Sequence, residues 1–390
     1  MNKLLKFGAI MLSMISFSAC QKDIDVDQYQ KTGDIPVIPQ FQNKAENGFG
    51  PGSKKVYTLN NQVSGNAVME YDRAGNGMLT FNAAYSTGGT GTGGGLGNQG
   101  AIILTMDDKT LLAVNPGSNS ISSFKITNNG LSLISTVNSG GTRPVSITES
   151  DDIVFVLNAG GSGNISGFKL DDHELTPIPN STRPLSSPSA GPAQISFVKN
   201  GKVVVITEKA TNKIITYTIS NSGNPGMMHS ILSSTPTPFG FELGKDNGII
   251  IVSEADGGAP GASKLSSYEV NETGNISLIT GSVGAGQSAA CWVVVTNNGK
   301  YAYTTNTASN NLSSFDINKH TGGISVNTPI ASTTGMGPID AALSDNSKYL
   351  YVLNSGGHSI GVYTVANNGG LSLLQTQSGI PAGATGLAAR

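Results

Sequence analysis

Short apolar runs bounded by Gly, Ser and Asn recur along this chain in one fixed order. The pattern is clearest in "KYLYVLNSGGHSIGVYTVANNGGLSLL" from Lys348 and "KYAYTTNTASNNLSSFDINKHTGGISV" from Lys300. Each copy reads as a short apolar strand, a polar turn, an alternating strand ending in an aromatic, an Asn/Gly turn and a third strand. Related copies start near Lys55, Thr110, Ile153, Lys202 and Gly248, the first being the most degenerate. Anchoring on the polar residue that ends the first strand gives Asn60, Asn115, Asn158, Thr207, Ser253, Asn306 and Asn354, spaced 43 to 55 residues apart. All-strand units of this length cannot bury both faces alone, so they must pack on one another.

Five of the copies are preceded by one more strand: "PVSITE" (144–149), "PAQISFV" (192–198), "PFGFEL" (238–243), "CWVVV" (291–295) and "PIDAALS" (338–344). Four strands per copy and seven copies predict an all-β fold, a seven-bladed β-propeller of four-stranded antiparallel blades. The first copy lacks its innermost strand, and "GATGLAAR" (383–390) resembles the missing piece. Pairing it with the strand from Lys55 closes the ring and removes an exposed edge. A β-helix or an array of sandwiches is the competing arrangement, and it leaves the terminal half-repeat without a purpose.

Composition narrows the function more than the fold. The chain of 390 residues has 51 Gly, 12% charged residues and a net charge of −2, which suits tight turns and argues against nucleic-acid binding. Residues 1–19 read as a signal peptide: Lys3 and Lys6, an apolar run, then Phe17-Ser18-Ala19 before Cys20. This ending resembles the lipobox of bacterial lipoproteins, which implies a diacylglycerol on Cys20 and a place in the cell envelope, anchored to the outer membrane. Asp23, Asp25 and Asp27 behind it resemble the surface-export signal of Bacteroidetes-type lipoproteins, or serve simply as a solvated tether. Residues 20–52 then form a flexible tether and 53–390 the propeller. The membrane is reached through the Cys20 lipid only, and a monomer is expected. Cys291 is expected as a small core residue.

The blade pattern resembles the lactonase family of seven-bladed propellers, which includes 6-phosphogluconolactonases and the carboxymuconate-lactonizing enzymes. The resemblance runs over about 55–390 and is best in "SAGPAQISFVKNGKVVVITEKATNKIITY" (189–217). Glu208 stands where the muconate branch carries a catalytic Glu. Ala193 and Gln194 stand where the family has Arg and His after Gly-Pro, and Arg143-Pro144-Val145 replaces the His-Pro-His strand of the other branch. A cationic clamp for a phosphorylated or tricarboxylate substrate is therefore missing.

Candidate chemistry centres on the mouth of the ring. Glu208 and Glu254 follow the anchors of adjacent blades and are expected side by side there. Such a pair can act as general base and acid, hold a divalent cation, or make cross-blade hydrogen bonds as ordinary turn acids. Apart from that cation, no cofactor and no metal site is expected: His173, His229, His320 and His358 show no metal-ligand spacing. Gln194, Trp292 and Asp340 fall at one equivalent inner-strand position, and Trp292 could stack on a sugar ring. Asn306 and Asn354 could donate to an oxyanion, and Arg143 could face an anion. "GGTGTGGGLG" (88–97) lacks the helix and Lys of a nucleotide loop and is expected as a flexible insertion.

Two functions follow. One is a lipoprotein whose propeller binds a small molecule, glycan or partner protein at its mouth without catalysis. The other is a lactone hydrolase acting on an uncharged lactone, with Glu208 activating water.

Overall fold

The computed structural model describes residues 54–390. Cys20, the signal peptide and most of the tether lie outside the described residues. Seven antiparallel sheets follow one another around a ring, each with its strands in spatial order from the axis outwards. The inner strands are Thr385–Ala389, Ile102–Leu104, Pro144–Ser150, Pro192–Val198, Pro238–Leu243, Ala290–Val295 and Pro338–Leu343, for blades one to seven. Blade three carries one additional short strand, Arg183–Pro184, beside its third. Helix is confined, among the described residues, to one 3-10 turn, Asp256–Gly258.

The second strand of each blade explains its own sequence. Thr110–Asn115, Val203–Glu208 and Ile249–Glu254 are buried at every residue, because both faces of the sheet meet a neighbouring blade. They accordingly read as continuous apolar runs, whereas the outermost strands, such as Leu371–Ser378, are largely exposed and polar on one side. Aromatics at the end of the third strands (Phe124, Phe168, Tyr217, Tyr268, Phe315 and Tyr363) fill the wedge between blades. In blades six and seven a tyrosine of the second strand also staples the next blade. Tyr303 Oη donates to Gly369 O at 3.0 Å, and Tyr351 Oη to Gly77 O at 3.2 Å. Gly77 and Gly369 have φ of 88° and 78°, and a Cβ at either would collide with the stapling tyrosines' neighbours, Tyr349 and Tyr301.

Blade one is closed as expected. Thr385–Ala389 pairs antiparallel with Lys55–Leu59, Tyr57 opposite Ala388, so the first blade is built from both ends of the ring. Thr58 Oγ1 donates to Gly386 O at 2.7 Å across that seam, and Arg73 donates to Arg390 O at 3.0 Å.

Inner strands cross to second strands by a tight turn at one end of the ring, here the hairpin face. The opposite end, the loop face, carries the connections between blades and the turns after the second strands. Nearly every inner strand begins with a bulge, for example between Pro192 and Gln194 and between Pro338 and Asp340. The bulge turns the residue after it towards the axis.

Deleting residues 384–390 is expected to lower stability by more than about 3 kcal/mol, through lost strand pairing and exposure of the blade-one core. Urea unfolding measures this. An unchanged midpoint would mean that the ring does not depend on its closing strand.

Candidate functional site

The strand register moves the candidate acids. Glu208 pairs with Pro192 and Glu254 with Pro238, as Asn158 pairs with Pro144, Asn306 with Ala290 and Asn354 with Pro338. Glu208 and Glu254 therefore occupy the slot that asparagine fills in other blades, not the position after it. The asparagines in this slot are structural. Asn306 Nδ2 donates to Asn311 Oδ1 and Ser313 Oγ, both at 2.8 Å; Asn354 Nδ2 donates to Ser359 Oγ at 3.3 Å; Asn158 Nδ2 reaches the incoming crossing loop at Ser139 O, 3.1 Å.

The two glutamates do the same with more partners. Glu208 accepts from Ser186 N at 2.8 Å, from the Ser186 hydroxyl and from Thr211 Oγ1 at 2.5 Å. Glu254 accepts from Ser234 N at 3.0 Å and from Ser266 Oγ and Tyr268 Oη, each at 2.7 Å. Both are fully buried. Burial pushes the Glu254 carboxyl above its ordinary value, against the pull of those hydroxyls. The expected side-by-side pair is thus corrected: the carboxylates share no partner and are not presented at the mouth. Each pins the crossing loop that enters its own blade. Among the described residues no group of three or more His, Cys, Asp or Glu side chains is placed to hold a metal. Counting back nine residues from Phe124, Tyr217, Phe315 and Tyr363 lands on Asn115, Glu208, Asn306 and Asn354, a signal in the sequence that gives the correct register.

The loop face is sealed. The glycine-rich insertion is an ordered plug, not a flexible loop: Leu96 in it is buried, as are Asn98, Gln99 and Ala101 directly after it. Asn61 Nδ2 holds Gly94 O at 2.8 Å, and Lys209 Nζ donates to Gly97 O. Asn98 donates to Val145 O of blade three. Gln99 crosses the axis: its backbone N–H reaches Ala193 O at 3.2 Å and its Nε2 reaches Val293 O at 3.1 Å, while Val293 N returns a bond to Oε1 at 3.3 Å. Gly240 permits this crossing, since a Cβ there would collide with Gln99 Oε1. Beneath the plug, Ala193, Phe239, Cys291 and Trp292 form an apolar layer, with the Phe239 and Trp292 rings 5.2 Å apart. Lys209 stands 4.6 Å over Phe239, and burial together with the Arg143 charge pulls it down to about 8. Arg143 itself is exposed on the loop face.

Below that layer the channel widens into a cavity of about 430 Å³, within the size range of small-molecule sites. Gln99 and Gly100 floor it. Its walls run to Leu104, Val295, Leu343 and Ala389, partly exposed residues at or near the ends of inner strands, so it opens on the hairpin face beside exposed Asn297. Gln194 and Asp340 line it, as does Glu242, which sequence reasoning missed. Gln194 spends both polar atoms on the next blade, Nε2 donating to Phe241 O at 2.9 Å and Oε1 accepting from Phe241 N at 2.7 Å. Trp292 shares the register of Gln194 and Asp340, each two residues after the first pair of its inner strand, but it packs in the apolar layer above and does not line the cavity.

Glu242 and Asp340 are the only titratable side chains in the lining, and no cation accompanies them. Burial pushes Glu242 up to about 7, opposed only by the bond from Leu243 N at 2.8 Å. Burial pushes Asp340 well above the carboxylate range, against the Ala341 amide at 2.8 Å and the nearby Trp292 indole and Leu387 amide. The Trp292 Nε1–H is close enough to favour the Asp340 charge yet makes no hydrogen bond of good geometry. The signal for Glu242 lay in "PFGFEL", where one acid interrupts an otherwise apolar inner strand.

Geometry of this kind defines a seven-bladed propeller with a one-ended axial cavity. The sequence model described as "Lactonase, 7-bladed beta-propeller" matches residues 46–183 and 262–386, and the chain belongs to that family. The unmatched stretch, 184–261, holds Gln194, Glu208, Lys209, Glu242 and Glu254. Among solved structures, a Bacteroides fragilis protein named as a candidate 6-phosphogluconolactonase superposes with a TM-score of 0.68 at 15% identity, covering 87% of this chain and 98% of that one. The periplasmic gluconolactonase of Pseudomonas aeruginosa gives 0.66 at 14% identity, covering 85% and 98%. A functionally unknown protein of Desulfotomaculum acetoxidans gives 0.66, also at 14%, with the same coverage. Likeness at these identities establishes the shared fold. No curated protein matches the chain.

Two stability tests follow. Glu254→Ala leaves the Ser266 and Tyr268 hydroxyls without their acceptor and the Ser234 amide with Tyr268 Oη alone, and should cost about 2–4 kcal/mol in chemical unfolding; a neutral result would remove the pinning role. Glu242 has a folded-state value raised from 4.5 to about 7. Ionising it therefore costs folding free energy: the cost is absent below about 4.5, grows as pH rises through 7 and is complete above. Glu242→Gln should raise stability by about 1–2 kcal/mol at pH 8 and leave it unchanged at pH 4. Equal shifts at both pH values would contradict the perturbed carboxyl.

Proposed function

We propose that this chain is a lactone hydrolase that opens an uncharged lactone in the axial cavity. Membership of the lactonase family supports the reaction class. The observation that carries the substrate class is the cavity lining: about 430 Å³ with amide, hydroxyl and apolar groups and two carboxyls, but no Lys, Arg or His. A phosphate or carboxylate entering it would lose its hydration without a counter-charge. A neutral cyclic ester loses far less, and its ring fits the apolar walls of Ile102, Ile147, Ile195 and Leu387.

The lipid anchor expected on Cys20 suits such a substrate. An exported lipoprotein held by Cys20 meets neutral sugars and cell-wall material, whereas phosphorylated sugar lactones belong to the cytoplasm. No helix among the described residues is long and apolar enough to cross a membrane, and the proposed attachment is the Cys20 lipid. Binding of a glycan or partner without turnover is the second reading. It is favoured by one observation, the burial of Glu208 and Glu254, which removes the family-type acids from solvent.

Hydrolysis by the full chain of a neutral aldonolactone and its phosphorylated counterpart, with spontaneous opening subtracted, separates these readings. Turnover of the neutral lactone at least about tenfold above the blank, with a smaller effect on the phosphorylated one, is expected. Blank rates for every lactone from folded protein would leave binding alone.

A further inference from the structure

The machinery expected from sequence, Glu208 and Glu254, is locked into structural hydrogen bonds, and the mouth beside it is plugged. The reactive groups left facing open volume are on the other side of the plug. We propose that Glu242 and Asp340 are the catalytic carboxyls of this chain, acting in the axial cavity entered from the hairpin face. The Trp292 indole, beside Asp340, completes the site. This rests on the lactonase reading above and deepens it.

Three independent observations converge. First, both carboxyls line one cavity, from blades five and seven on either side of blade six. Second, neither is neutralised by a salt bridge, in contrast to Glu70, whose carboxylate is bonded by Lys55 at 2.8 Å. Only one oxygen of each is engaged by a bond of good geometry from the protein, Leu243 N to Glu242 Oε1 and Ala341 N to Asp340 Oδ1. Third, the Trp292 indole N–H is buried, 3% exposed, beside Asp340 and has no hydrogen-bond partner of good geometry. A buried donor left unsatisfied is costly unless a ligand or a shift of the carboxyl completes it.

The two carboxyls suit different halves of the reaction. Glu242, ionised for part of the time at neutral pH, takes a proton from water as the water oxygen adds to the lactone carbonyl carbon. The carbonyl electron pair moves onto oxygen, and protonated Asp340 donates a hydrogen bond to that oxyanion, as a carboxylic acid kept neutral by an apolar setting can. The tetrahedral adduct then reforms the carbonyl, the ring C–O bond breaks, and the Glu242 carboxyl returns its proton to the leaving alkoxide. One lactone and one water give one hydroxy acid, and both side chains end as they began.

The test uses the full chain with Glu242→Gln and Asp340→Asn, both isosteric. Glu242→Gln is expected to be the more stable protein, so its loss of activity cannot be loss of fold. Each should lower kcat by about 10²–10⁴ with KM changed less than about threefold. The wild-type kcat/KM should rise with pH through about 7 as Glu242 ionises, and Glu242→Gln should abolish that rise. If the wild type opens lactones and both variants keep its rate, the Glu242–Asp340 assignment is wrong while the lactonase reading stands. If the wild type opens none, the lactonase reading falls, and the cavity site is judged by binding. Trp292 is the only tryptophan, so its fluorescence reports on occupancy. A neutral aldonolactam should shift that fluorescence in the wild type and leave it unchanged in Ala341→Leu, whose larger side chain fills part of the cavity. No fluorescence change and no heat of binding with the lactam would overturn the site.

Discussion

An inner strand of a propeller has one edge paired and one edge turned to the axis, where its N–H and C=O groups must find partners or stay unsatisfied. The rest of this structure depends on how that edge is satisfied. Ser146 Oγ of blade three accepts from Ile195 N of blade four at 3.1 Å, and Thr148 Oγ1 from Phe197 N at 3.1 Å. Gln194 serves Phe241 of blade five in both directions, and Gln99 serves Val293 of blade six. Side-chain amides and hydroxyls stand in for an eighth ladder that the ring has no room to build. The bridges do not fill the axis: Gln99, Thr148 and Gln194 line the cavity left between them and the hairpin face. The place of the cavity is a by-product of backbone accounting.

Chemistry follows from that division. The loop face, where the family resemblance would look for acids and cations, has been converted into structure: Glu208 and Glu254 replace asparagine as pins, and Lys209 holds the plug. The hairpin face keeps volume, two carboxyls and no counter-ion. Burial raises both carboxyls above their ordinary values, which suits them to exchanging or sharing a proton more than to holding a fixed charge.

The fold was legible because it is written seven times, and each copy carries its own turn residues and aromatic. The closing strand was legible for the same reason, as the one element its blade lacked. The site was harder because it depends on single-residue register. Anchoring on Thr207 and Ser253 shifted blades four and five by one residue, and in a strand one residue exchanges the two faces. Trp292 keeps the register of Gln194 and Asp340, yet its ring packs with Phe239 in the apolar layer instead of lining the cavity, a difference that register alone does not reveal. The insertion misled for a different reason. Its composition is that of a mobile loop, yet Gly94, Gly97 and Gly100 present carbonyls to Asn61, Lys209 and Ile147, and backbone partners of that kind leave no trace in residue type.

The seam of blade one sets the order in which the molecule can be made. Thr58 and Gly386, which bond across it, are 328 residues apart in sequence. Blades two to seven are built from local contacts and can form as soon as their residues are available, whereas blade one waits for the last strand with its inner edge open. Contacts of such long separation are late and slow, because loop-closure entropy comes before any reward. A chain emerging from its N-terminus would therefore remain an unclosed arc through most of its synthesis.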